Sequence, residues 1–200
     1  MRQTEVTVQV FDSMENVLSQ LGALGYEVVG NKKMCDYYYT ALCHKAIQDA
    51  DYATLIKSSI ILRDLTDGKF RKQEMIYKDK TLDNFGNVVS EEKLHEKIES
   101  IDNVRRMFER WGLTCWCTLM DSMTVCRKDD VEFVLQSVEG LGVFIELEEL
   151  PDMRDWTDDE KIDELKLILK NVGLKLGEDY SCKKPYMLFE KEKNECGRQK

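Results

Sequence analysis

Strict alternation of apolar and polar positions recurs along the chain and predicts most of a sheet. Near the start, Val6, Val8 and Val10 fall on one side of an extended segment, with Glu5, Thr7 and Gln9 on the other. The stretch Gly140–Leu150, GLGVFIELEEL, repeats the pattern. Ile145 and Leu147 share one face, while Glu146 and Glu148 share the other, about 7 Å apart along the strand. The segments SSIILRDL (58–65) and KQEMIYKDK (72–80) read as strands joined through Asp67-Gly68, a hairpin signal. LTCWCTLMDSMTVCRK reads as one long strand, and Asp129-Asp130 turn it into VEFVLQSV. There Glu132, Val134 and Gln136 oppose Val131, Phe133 and Leu135.

A period of 3.6 takes over between these runs. Asp12 or Ser13 caps a stripe of Met14, Val17, Leu18 and Leu21. A second helix, near 101–111, carries Val104, Met107, Phe108 and Trp111 and stops at Gly112. Thr157 and Glu160 form a capping box ahead of Ile162, Leu165, Ile168, Leu169 and Val172. CDYYYTAL predicts a short strand, and TLDNFGNVVSEEKLHE, polar and turn-rich, predicts a loop and then a helix start. KPYMLFEKEK predicts a last helical piece before a charged tail over 191–200, leaving 1–190 as a single domain. Strands that follow one another directly favour a mostly antiparallel sheet and the α+β class.

Composition narrows the function classes. A net charge of -9 argues against a general nucleic-acid binder, which needs a basic face to neutralise phosphates. MRQTEVTVQVFD lacks the build of a secretory leader, and no apolar run reaches membrane length. Seven cysteines without a CxxC pair are expected to be free thiols, which fits a cytoplasmic protein. Cys115 and Cys117 share a strand face and are expected to pack rather than bind metal, because no second pair completes four ligands. His44 and His95 have no partner pattern, and Asp36 is expected to be structural.

Several strands are thus apolar on one face and polar on the other. A single sheet with helices on its apolar face and a wet polar face fits this, and pattern alone favours it. A closed barrel fits too, with helices outside and the polar faces lining a lumen. Such a lumen would suit a highly charged ligand bridged by a divalent metal, since carboxylates hold Mg²⁺ or Mn²⁺ while Arg and Lys hold phosphate oxygens.

The order of motifs resembles the CYTH superfamily, which includes class IV adenylyl cyclases and thiamine triphosphatases. The resemblance covers nearly the whole chain: Glu5 on the first strand, DYYY after the first helix, IILRDL, IYK, DDVEFVLQSVEGLGVFIELEEL and VGLKLGEDYSCKKPYMLFE. It implies a closed antiparallel eight-stranded β-barrel, the triphosphate tunnel, with helices packed outside. It also implies Mg²⁺ or Mn²⁺ as cofactor and a small-molecule triphosphate or related anion as partner, in a monomer or homodimer.

Carried over position by position, the resemblance makes Glu5, Glu146 and Glu148 metal ligands, and Arg63 and Lys78 phosphate ligands. Arg127 shares the parity of a basic pair on the long strand. The chain also departs from the pattern. Thr7 stands for the second acid of the first strand and Gln9 for its lysine. Leu65 stands for a second arginine, Asp121 and Met123 for a Lys/Arg pair, and Gln136 for an acid. Each lost charged contact to a desolvated phosphate should cost about 1.5–3 kcal/mol. The resemblance therefore implies a cyclase or triphosphate hydrolase of weakened or altered activity; the alternative is a degenerate site that binds an anion without turnover. No catalytic residue is assigned.

Overall fold

The computed structural model describes residues 4–82 and 88–197, with side chains described over 4–78 and 94–195. The described residues form eight strands: β1 (Glu5–Val10), β2 (Glu27–Thr40), β3 (Ile60–Thr66), β4 (Arg71–Leu82), β5 (Val88–Lys97), β6 (Thr114–Lys128), β7 (Val131–Val138) and β8 (Gly142–Glu148). Six helices accompany them: α1 (Met14–Ala23), α2 (His44–Asp49), α3 (Tyr52–Lys57), α4 (Ile101–Arg110), α5 (Asp158–Asn171) and α6 (Lys184–Gly197). None of the described helices is long and apolar enough to cross a membrane.

The caps account for several boundaries. Ser13 accepts from the Asn16 amide to start α1, Ser100 accepts from Asn103 to start α4, and Thr157 with Glu160 forms the full capping box of α5. The predicted α+β class holds. Two elements differ from expectation. The strand begun at CDYYY starts far earlier, at Glu27, because the exposed EVVGNKK run lacks the half-buried alternation that marks a strand. The segment read as a loop and helix start contains β5, whose ladder with β4 runs from Glu74↔Lys97 to Leu82↔Val88. Residues 83–87 of that segment, and the last three of the expected tail, lie outside the described residues.

The eight strands form one sheet in the order β1-β8-β7-β6-β2-β3-β4-β5. The expected closed barrel is not found: among the described residues, β1 and β5 end the sheet and do not pair with each other. The outer edge of β1 is already engaged. Thr7 and Phe11 donate their amides to Tyr180 and Lys175, while Gly177 and Cys182 donate to the carbonyls of Gln9 and Thr7. Backbone groups bonded to the 175–182 segment are unavailable to β5, and a covered edge is a stable end for an open sheet.

The chain divides into two compact units. The first comprises Met1–Lys33 and Asp121–Lys183. Val6, Val8, Phe133, Leu135, Ile145 and Leu147 form its sheet-borne core, and α1 (Val17, Leu21) and α5 (Leu165, Leu169) pack on that core. The second unit comprises Met34–Met120 and Lys184–Lys200. Its α4 packs Ile101 and Phe108 on Tyr39 and Leu62. A separate aromatic contact sets Trp116 edge-on to Phe189 of α6, and the Trp116 indole N–H donates to Ser59 at 2.8 Å.

Candidate functional site

In the first unit, the polar face of β1 and β8 is placed by a tight turn. Gly140 (φ 80°) and Gly142 (φ 104°) take left-handed backbone that a side chain would strain, and this brings Val138 opposite Gly142. The ladder that follows sets Val134 opposite Glu146. On the other side of β8, Glu5 lies opposite Glu148 and Thr7 opposite Glu146. The valines, Ile145 and Leu147 turn into the core, so the glutamates necessarily share the other face.

This register gathers the three predicted metal ligands. One carboxylate oxygen from each of Glu5, Glu146 and Glu148 lies within 4.8 Å of the others; Glu146 is half-buried, the other two exposed. Like charges directly opposite on antiparallel strands repel, and a divalent cation among the three would offset that repulsion. An all-oxygen donor set fits Mg²⁺ or Mn²⁺ rather than a thiolate-seeking metal.

Two neutral residues flank Glu146. The Thr7 hydroxyl donates to Glu146 Oε2 at 3.4 Å, and the Gln136 amide donates to the same oxygen at 3.3 Å. Both residues are buried. The Gln9 amide is spent on the turn, donating to the Leu141 carbonyl at 3.0 Å. Asp121 is buried on β6, opposite Val138. Arg127, expected by its strand parity to serve a basic position, pairs its guanidinium with Glu132, directly opposite on β7, and more than half of its side chain is exposed.

The second unit holds Arg63 and Lys78. Arg63 donates from Nε to Asp36 Oδ1 at 2.8 Å and from Nη2 to Oδ2 at 2.6 Å, a two-point pair with a fully buried Asp36. Burial pulls the Arg63 pKa down, but the hydrogen bonds and charge of Asp36 outweigh it and leave the pKa raised. Opposite Arg63 on β4 is buried Glu74, which also holds the Lys72 ammonium. Lys78 is half-buried, in register with Lys93 of β5.

The structure thus brings Glu5, Glu146 and Glu148 together, and it places Arg63 beside a carboxylate. Sequence reasoning treated Thr7 and Gln136 only as missing acids and Asp36 only as structural. The parity of Thr7 with Glu5 put it on the acid-bearing face. Its bond to Glu146, 139 residues away, left no local signal.

Proteins named as adenylate cyclases are among those similar to the chain, in keeping with the resemblance to the CYTH superfamily. The chain is 27% identical over 188 residues to "Putative adenylate cyclase MJ0240" of Methanocaldococcus jannaschii, covering 94% of this chain and 97% of that protein. The fold is similar to that of the PH1819 protein of Pyrococcus horikoshii OT3, with a TM-score of 0.66 at 17% identity over 94% of this chain and 99% of the other. It is also similar to the "Putative adenylyl cyclase HpAC1" of Hippeastrum, described as revealing a dominant triphosphatase activity. That match has a TM-score of 0.54 at 14% identity and covers 96% of each chain. No family model matches the chain.

Proposed function

We propose that the protein is a metal-dependent enzyme acting on a nucleoside or inorganic triphosphate, as a cyclase or as a triphosphate hydrolase. The observation that carries this reading is the convergence of Glu5, Glu146 and Glu148 on the polar face of β1 and β8. Those carboxylates would hold Mg²⁺ or Mn²⁺, and the ion when bound would neutralise phosphate charge. The names of the Methanocaldococcus and Hippeastrum proteins support the substrate class. The metal argument rests on the first unit alone.

The test is incubation of purified protein with ATP or tripolyphosphate and either metal, with cyclic AMP, pyrophosphate and phosphate all measured. Turnover is expected in at least one combination, and Glu146→Ala is expected to abolish it. No product from any combination would refute the enzymatic reading.

A second reading, binding of a smaller or less charged anion without turnover, draws support from the ion pairs. Arg63 is engaged by Asp36 and Arg127 by Glu132, so neither offers an uncompensated charge to a phosphate chain. A rise in melting temperature with some member of a panel of nucleotides, polyphosphates and carboxylates, but no product, would favour it.

A further inference from the structure

We propose that Thr7 and Gln136 are positioning residues that hold the Glu146 carboxylate for a divalent cation. This rests on the metal-site reading above. Glu146 sits in the middle of a three-strand block, and the two donors come from opposite sides of it: Thr7 from β1 and Gln136 from β7. Both reach the same oxygen, Oε2, at 3.4 and 3.3 Å. Their own exposure is 7% and 4%, so neither side chain has a solvated alternative of equal quality.

The chemistry of the pair is what a crowded acidic cluster needs. Glu146 stands within 4.8 Å of oxygens from Glu5 and Glu148, and repulsion alone would turn its carboxylate away from them. A further acid at position 7 or 136 would add to that repulsion. A hydroxyl and an amide N–H instead draw charge toward Oε2 and fix the plane of the group. The amide nitrogen of Gln136 faces Glu146 because its oxygen would be repelled. Groups that orient a ligand in this way typically change metal affinity by about 10–100-fold when removed.

The experiment is a Mn²⁺ titration of the full chain, read as loss of the free-ion electron paramagnetic resonance signal and without any substrate. Thr7→Val keeps the shape and deletes the hydroxyl; Gln136→Leu deletes the amide. Each is expected to weaken Mn²⁺ binding by about tenfold or more, whereas Thr7→Ser, which restores the hydroxyl, should bind close to wild type. A purely structural role would instead lower the metal-free melting temperature of Thr7→Val and leave its Mn²⁺ affinity unchanged. If wild type binds Mn²⁺ and both Thr7→Val and Gln136→Leu bind equally well, the positioning role is overturned and the metal site stands. If wild type binds no Mn²⁺, the metal site itself falls, and the positioning role with it. Should Gln136→Leu fail to fold, the comparison of Thr7→Val with Thr7→Ser decides the matter alone.

Discussion

Asp36 is fully buried, and both of its carboxylate oxygens accept from Arg63, whose side chain keeps 27% of its own exposure. That asymmetry decides what each deletion does. Arg63→Ala leaves a carboxylate in the interior with its main cation gone, and breaking a buried pair in this direction costs about 3–5 kcal/mol. Asp36→Ala leaves a guanidinium that can rehydrate through its open side, so the loss is nearer the about 1–3 kcal/mol of one broken charged hydrogen-bonding arrangement. Urea unfolding of the two variants should therefore rank Arg63→Ala as the less stable. The reverse order would mean that Asp36 is not held in place chiefly by Arg63. The sequence marked both residues, Arg63 as a phosphate ligand by resemblance and Asp36 as structural. Their partnership spans 27 residues and depends on two strands meeting, which no local pattern encodes.

The join between β8 and α5 is made by charge. Lys161, 8% exposed although it is a lysine, donates to Glu149 Oε2 at 2.7 Å, and the same carboxylate accepts from the Thr4 amide at 3.2 Å. The Lys161 hydrogen bond, offset in part by burial and helped by Thr4, holds the Glu149 carboxyl below the usual 4.5. A carboxyl whose pKa is lowered by folding contributes stability above its unfolded value and loses it as pH falls through its folded value. Glu149→Gln should consequently be less stable than wild type at neutral pH, and the gap should narrow as pH drops below 4.5. Chemical denaturation at neutral and acid pH measures this, and a gap that widens toward acid would contradict the assigned pair. Most elements carrying such joins were legible. β1, β7 and β8 alternate cleanly, and α5 announces itself with a capping box. What escaped were segments without a half-buried pattern: VVSEEKLHEK of β5 is too polar to alternate, and α2 and α3 are six residues each, too short for a 3.6 period to show. The acid trio of the site followed from alternation and resemblance together. Its two neutral neighbours acquired meaning only once β1 and β7 lay on either side of β8.

At the scale of the whole sheet, alternation establishes that strands have two unlike faces but is silent about whether the first strand meets the last. Here the ends are finished differently. The odd residues of β1 point their backbone groups outward, and the 175–182 segment bonds to Thr7, Gln9 and Phe11. β5 ends the sheet at the other side, with β4 as its one paired strand among the described residues. Every second amide of such a strand faces away from its neighbour, a template for unwanted pairing that a charge-rich sequence such as VVSEEKLHEK makes less inviting. Hydrogen exchange separates the two cases residue by residue. In β1 the outward amide of Thr7 should exchange as slowly as the inward amides of Val6 and Val8, because Tyr180 accepts from it. In β5 protection should alternate, slow where β4 accepts and fast at the residues between. Uniform slow exchange along β5 would mean that a second strand lies against it.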